Sequence, residues 1–238
     1  MSAILRKINH AKEIIRKAKE NHPQIAVPFS GGKDSLTVLL LARMISSQIK
    51  IFSIMTPYKF KETMKYLCKV NKLLNSNIQI FIATDEIPKV FENSGMSIHT
   101  YPDLYEQFKN ENGTTDNILK TERCCELLKV IPFQRALEEL QLNAWISGLR
   151  KGEGPTRKNI KESEKIKGRL RVSPILDWSI DDICIFLKGQ EVPINPLYKE
   201  GYLSLGCEPC TRIPLLKGDE RSGRFIGREK CECGIHKE

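Results

Sequence analysis

The 238-residue chain has no apolar stretch long enough to cross a bilayer. Its longest apolar run, Leu36 to Ala42, is broken by Thr37 and falls far short of the ~20 residues a spanning helix needs. A helical membrane protein is therefore excluded. The N-terminal MSAILRKINHAKEIIRK reads as a basic amphipathic helix, without the continuous apolar segment and small-residue cleavage site of a secretory leader. Glu13 and Glu20 count against an organellar presequence, so the expected location is the cytoplasm. The chain also lacks internal repeats, low-complexity tracts and a separate nucleic-acid-binding module. The GxxxxGK[ST] spacing of a Walker A loop is missing too.

Hydrophobic residues make up 40% and charged residues 28%, enough to bury one α/β core, alone or with an appended lobe. With 38 Lys and Arg against 29 Asp and Glu, the net charge is +9. Much of that is ordinary solvated surface. The remainder attracts polyanions, either nucleic acid or small phosphorylated and sulfated nucleotides.

Short apolar runs alternate with helical patterns through the first half. Gln24–Phe29 reads as a buried strand, followed by a turn at Ser30–Gly32 and a helix over Ser35–Ser46. Strands at Lys50–Met55 and Ile78–Ala83 frame a helix over Lys61–Leu74, and a short helix follows near Ile87–Phe91. Gly95–Asn117 reads as an irregular polar excursion, Lys120–Leu140 as helix and Ala144–Ser147 as a fourth strand. Lys151–Arg171, nearly devoid of apolar residues, reads as a flexible loop or lid. Arg171–Leu176 then reads as a fifth strand, and a helix capped by Ser179 or Asp181 runs to Leu187. Such alternation predicts a parallel sheet with right-handed crossovers.

The first strand runs into SGGKDS, Ser30 to Ser35, and a helix starts at once. Two glycines let the backbone approach a ligand, and free N–H groups at the helix start face an anion, aided by the helix dipole. The hydroxyls of Ser30 and Ser35 can donate, and Lys33 adds a point charge. An ordinary strand–helix turn is the alternative. The segment Ser30, Gly31, Gly32, Lys33, Asp34 and Ser35 resembles the pyrophosphate-loop signature of the adenine-nucleotide α-hydrolase-like superfamily. That superfamily includes adenylating ligases, nucleic-acid sulfurtransferases and reductases of adenylylated sulfate.

The eight cysteines are clustered rather than spread, which in a reducing compartment favours metal binding or thiol chemistry over disulfides. Cys124 and Cys125 are adjacent, Cys207 and Cys210 form a CxxC, and Cys231 and Cys233 lie near the C-terminus. Cys68 and Cys184, among apolar neighbours in helical patterns, read as inert core thiols. Four thiolates suit a [4Fe–4S] cluster or a tetrahedral zinc. Neighbours on a helix point about 100° apart, which sits better with the separate iron corners of a cluster than with one compact zinc. Zinc and unligated thiols remain alternatives.

The combination resembles the cluster-bearing, thioredoxin-dependent adenylyl-sulfate (APS) reductases of the phosphoadenylyl-sulfate (PAPS) reductase family. The matching segments are CCELLKVIPF at 124–133, GLRKGEGPTR at 148–157, PINPLYKEGYLSLGCEPCTR at 193–212, RSGR at 221–224 and ECGIH at 232–236. The resemblance implies a parallel-sheet nucleotide-binding domain over residues 1–216, and a mobile tail over 217–238 carrying the catalytic Cys233. It implies that Cys124, Cys125, Cys207 and Cys210 hold a [4Fe–4S] cluster. Lys129, Gly148, Arg150, Arg221, Arg224 and His236 join the glycine turn as substrate-binding residues. In that reading the Cys233 thiolate attacks the sulfuryl sulfur of APS (or PAPS), AMP leaves, and thioredoxin releases sulfite for sulfate assimilation and cysteine biosynthesis. Members often form dimers or tetramers, so a homo-oligomer is compatible.

Three features depart from the family pattern. The glycine loop is intact, as in enzymes that split ATP, where many reductases of this branch carry a degenerate form such as SGAED. The second strand ends Met55–Thr56–Pro57–Tyr58 without the usual aspartate. Cys231 is an extra thiol, either a bystander or a partner for Cys233 in a disulfide after turnover. An ATP-dependent iron–sulfur sulfurtransferase acting on RNA or DNA is the competing enzymatic reading, and a non-catalytic nucleotide-binding metal protein is a third.

Overall fold

In the computed structural model, which describes residues 2–112, 122–214, 220–226, 232 and 235, the chain divides into two compact units. The first is Met1–Ile51 with Leu140–Asn195, and the second is Phe52–Glu139 with Pro196–Glu238. Among the described residues no helix is long and apolar enough to cross a membrane.

The first unit begins with α1 (Ala3–Asn21), whose Ser2 side chain accepts from the Leu5 amide at 3.4 Å. Its buried residues, Ala11, Ile15 and Ala18, recur at helical spacing and give the helix one apolar stripe. Strand β1 (Ile25–Pro28) leads into α2 (Lys33–Ile45). That helix contains the longest apolar run of the sequence, and every residue from Ser35 to Ala42 is buried. Apolar residues on all sides are what a helix needs when it is enclosed by protein. Strand β1 pairs in parallel with β5 (Ala144–Ile146), Ile25 opposite Ala144, and β5 pairs in parallel with β7 (Arg169–Val172). Strand β6 (Ser163–Ile166) joins β7 antiparallel, so the order is β1-β5-β7-β6. Helix α7 (Ile180–Lys188) completes the unit. It starts in a capping box in which Asp182 accepts from the Ser179 amide at 2.7 Å and the Ser179 hydroxyl accepts from the Asp182 amide at 3.1 Å.

Strand β2 (Lys50–Met55) carries the chain into the second unit, where the order is β4-β3-β2. Helix α3 (Lys61–Leu73) connects it to β3 (Ile78–Ile82), which pairs in parallel with β4 (Ser97–Thr100). Helix α4 (Pro102–Asn112) follows. Then α5 (Glu122–Cys125) runs through a π-helical turn, Glu126–Val130, into α6 (Ile131–Glu139). Phe52 packs against Phe81 and Phe133, with ring centroids 6.1 Å and 5.5 Å apart, at the centre of this core.

The expected parallel α/β architecture is present, and β2 has the bounds read from the sequence. Four local expectations need correction. Gly95–Asn117 is not irregular throughout, because it contains β4 and α4. Lys151–Arg171 is not a featureless loop. It holds two 3₁₀ turns and a hairpin whose two linking residues, Lys167 and Gly168, both have positive φ (48° and 82°). That is the type I′ geometry matching strand twist. The fifth strand accordingly covers 169–172, not 171–176. Cys184 is exposed, on the outer side of α7, and is not a core thiol.

Candidate functional site

The glycine turn is built within the first unit. Gly31 has φ +82°, a conformation open to glycine at no steric cost, and Gly32 is the N-cap residue of α2. Ser35 is the hub. Its hydroxyl accepts from the Ser30 amide at 3.3 Å, donates to the Gly32 carbonyl at 2.9 Å and lies 3.0 Å from the Ser30 hydroxyl. The Ser30 hydroxyl in turn accepts from the Gly32 amide at 3.4 Å, and the buried Asn195 donates to the Gly31 carbonyl at 3.2 Å. The first-turn amides of α2 have no partners within the helix and supply the donors an anion would use. Gly148 presses against this turn, since a Cβ there would lie 3.0 Å from the backbone of Asp34 and Ser35.

Beneath the turn lies a buried ionic network. Arg150, 1% exposed, donates through Nε to Asp34 at 2.6 Å and through Nη1 to the Trp178 carbonyl at 3.3 Å. The Lys33 ammonium sits 3.3 Å from Asp34. Glu153 accepts from the Arg150 amide at 3.2 Å and is paired with Arg157. Burial and the nearby Asp34 push the Glu153 carboxyl up, opposed by Arg157, Arg150 and Lys33. Three buried cations face two carboxylates here, and the excess positive charge favours an anionic ligand in surroundings of low dielectric. Lys33 is thus part of a paired network rather than a free point charge. Glu153, Arg157 and Asn195 were not singled out by the sequence, although the GLRKGEGPTR segment contained the first two.

The thiols expected to bind metal all belong to the second unit. Cys124, Cys125, Cys207 and Cys210 are all buried, at 5–7% exposed. Cys124 and Cys125 end α5 immediately before the π turn, a distortion common at functional positions. Cys207 and Cys210 bound a 3₁₀ turn, with the Cys210 amide on the Cys207 carbonyl at 3.0 Å and the Glu208 amide on the Tyr58 carbonyl at 2.8 Å. The Thr56 hydroxyl lies 3.2 Å from the Cys207 sulfur, and Lys59 forms a β-bridge with Cys207. Burial alone would raise the Cys207 thiol; Lys129, the Thr56 hydroxyl and Lys59 outweigh it and hold the thiol below its usual range. Tyr58 is pushed up to about 12, by burial first, then by Tyr105 and by the charges of Cys124 and Cys207. Its buried hydroxyl makes no well-aligned hydrogen bond among the described residues.

Soft, buried thiols with cations beside them are the donor chemistry of a thiolate-bound cluster. The thiols come from both expected pairs, and Tyr58 is close to one of each. Among the described residues no three His, Cys, Asp or Glu form a group able to hold a metal ion. Thr56, Tyr58 and Lys59 are contributors that the sequence did not single out as such. The signal was the unusual TPYK segment, where the family's aspartate is missing.

Two arginines expected to bind substrate have partners within the protein. Arg221 donates to Glu232 at 2.7 Å, a pair almost withdrawn from solvent. Arg224 donates through Nε to the Cys210 carbonyl at 3.3 Å and through Nη1 to the Leu205 carbonyl at 3.1 Å. Cys233, Cys231 and His236 lie outside the described residues.

Residues 24–213 match the family described as "Phosphoadenosine phosphosulfate reductase domain". A protein of Streptomyces coelicolor named "Adenosine 5'-phosphosulfate reductase" is 31% identical over 229 residues, covering 95% of this chain and 88% of its own. One of the same name from Geobacillus sp. (strain WCH70) is 42% identical over 117 residues, a match that spans 48% of each chain. Among solved structures, the phosphoadenylyl-sulfate reductase of Candida auris aligns with TM-score 0.66 at 21% identity, covering 88% of this chain and 97% of its own. The FMN adenylyltransferase of Candida glabrata aligns with TM-score 0.62 at 18% identity, covering 96% and 73%. At these identities the two structures speak for the fold alone.

Proposed function

Because the chain belongs to the phosphoadenosine phosphosulfate reductase family, we propose that it is a thioredoxin-dependent reductase of adenylyl sulfate in sulfate assimilation. The observation that carries this reading is the set of four buried thiols, one of them acidified by two lysines, in a chain whose relatives bear that activity in their names. The glycine turn and its network receive the phosphate end of the nucleotide, Ser30, Ser35 and the α2 amides donating while Gly148 and Arg150 hold the turn in shape. Cys233, carried on the 217–238 tail, attacks the sulfuryl sulfur. The S–O bond to AMP breaks, the electron pair leaves with AMP, and an S-sulfonate remains on Cys233. A thioredoxin thiolate attacks the Cys233 sulfur, sulfite departs with the electron pair of the S–S bond, and the second thioredoxin thiol resolves the mixed disulfide. Arg221, Arg224 and His236 belong to the substrate-binding set in this reading.

Cys124, Cys125, Cys207 and Cys210 would hold a [4Fe–4S] cluster, which when bound supplies a fixed structural and electrostatic centre near Lys129. Lys129 and Lys59 supply the counter-charge for the thiolates. The chain acts in the cytoplasm, and PAPS is a second substrate to test.

The test is anaerobic purification followed by APS, PAPS or ATP and mass spectrometry of the tail. A sulfonate on Cys233 with stoichiometric AMP, absent in Cys233→Ser, is the expected result. The intact SGGKDS loop favours one competitor, an ATP-dependent sulfurtransferase. Turnover of ATP to AMP and pyrophosphate without an adduct would establish it instead. Absorption near 400 nm checks the cluster.

A further inference from the structure

We propose that Arg224 is a positioning residue for the 207–210 turn, holding both of its thiols through the guanidinium. The side chain is a planar fork of donors, and two prongs reach carbonyls on either side of the turn, Leu205 at 3.1 Å and Cys210 at 3.3 Å. Between them lies Gly206. A Cβ on that residue would stand 2.2 Å from Nη2, 2.5 Å from Cζ and 2.8 Å from Nη1 of Arg224, so the guanidinium occupies the space that any other residue would fill. The backbone repeats the attachment. Thr211 and Arg224 form an antiparallel bridge, and the Phe225 amide donates to the Cys210 carbonyl at 3.0 Å. The Arg224 guanidinium also stacks 4.7 Å above the Phe225 ring, which packs with Cys207, Cys210 and Tyr58 in one buried cluster.

Gly206 and Arg224 are therefore one device, a missing side chain and the fork that replaces it. Charge-assisted bonds to two carbonyls are stronger than neutral ones, and a lysine, whose compact ammonium lacks the rigid planar fork, does not reproduce this geometry. The consequence for metal binding rests on the proposed ligation of a cluster by Cys207 and Cys210; the positioning itself does not.

Both parts are testable in the full chain. In metal-free, reduced protein, alkylation of each cysteine by iodoacetamide is followed by mass spectrometry, with half-buried Cys68 of the same unit as the internal reference. Arg224→Ala is expected to raise the rates at Cys207 and Cys210 about tenfold, corresponding to roughly 1.4 kcal/mol of local protection, with Cys68 unchanged. Gly206→Ala should do the same with Arg224 still present, Arg224→Lys should not rescue, and the double variant should be no worse than Arg224→Ala. Wild-type rates in Arg224→Ala, or a rise at Cys68 in step with the pair, would overturn the proposal. In anaerobically purified protein, iron and sulfide content should fall in Arg224→Ala and Gly206→Ala relative to wild type. A wild-type protein without iron and sulfide would sink the cluster reading, while the alkylation rates still decide the positioning.

Discussion

The glycine turn and the cysteine site solve opposite problems. The turn is prepared for an anion by charges already paired inside the protein: Asp34 with Arg150 and Lys33, Glu153 with Arg157. The cysteine site gathers groups that repel one another once ionised, and it relies on Lys129, Lys59 and the Thr56 hydroxyl to make a thiolate tolerable. One region is complete as folded; in the other, no three of the described donors form a group able to hold a metal ion. The difference teaches where stability and function reside. Changes at the turn should register in the fold itself, whereas changes at the thiols should register in reactivity and metal content.

The largest effect is expected from Arg150→Ala. It takes from Asp34 its fully buried partner and leaves only Lys33 beside it, and breaking a buried pair from one side costs about 3–5 kcal/mol. Urea unfolding of the metal-free protein measures it. A loss under 1 kcal/mol would show that the turn is not held by its ion pairs, and the contrast with the cysteine site would collapse. Next in size is Gly148→Ala. The new Cβ would meet α2 backbone at 3.0 Å, and backbone cannot rotate away as a side chain can. A loss of about 1–3 kcal/mol, the usual range for overpacking, should accompany weaker AMP binding by calorimetry.

These two residues also mark what sequence can and cannot reveal. The SGGKDS turn was legible because its chemistry is local: two glycines, two hydroxyls and a helix start within six residues. The strands and α2 were legible for a similar reason, since apolar runs of the right length leave few other ways to fold. What surrounds the turn has no local signal: Gly148 and Arg150 came only from the family resemblance, since Arg150 meets Asp34 across 116 residues of chain, and Asn195, which meets Gly31 across 164, was missed. No local pattern marks such pairs. The hairpin at 163–172 was missed for a different reason: its exposed face carries charge, and a charged strand resembles a loop when only hydrophobicity is read. At the cysteine site, residue types announced thiol chemistry, but Thr56, Tyr58 and Lys59 join it only through the pairing of Lys59 with Cys207.

The comparison is sharpened on the cysteine side by Lys129→Met. Lys129 is the foremost group lowering the Cys207 thiol, so its removal should raise that pKa. In metal-free protein the pH profile of Cys207 alkylation would then move to higher pH, with severalfold slower reaction below the new pKa. Urea stability should stay close to wild type. A marked loss of stability with no change in the profile would mean that Lys129 is structural, as Arg150 is, and the two regions would no longer differ in kind.

The smallest effect is the control that any such comparison needs, a charge in the loop-bearing unit that belongs to ordinary helix chemistry. Asp182 accepts from the Ser179 amide and hydroxyl and pairs with Lys7. Burial opposes ionisation of this carboxyl, but Lys7 and Ser179 outweigh it and hold the group below the usual aspartate range. A carboxyl with a lowered folded-state pKa contributes stability that is present above its unfolded value, near ~3.9, and is lost as pH falls through the folded value. Asp182→Asn keeps an acceptor for the Ser179 amide but loses the charge, so at neutral pH it should cost about 1 kcal/mol, in the range of helix caps. The gap between variant and wild type should then close on acidification, as wild-type Asp182 takes up its proton. A gap that persists unchanged at low pH would assign the loss to the amide's shape and not to the charge. The charged network at Arg150 would then need the same pH titration before its larger effect could be ascribed to ion pairing.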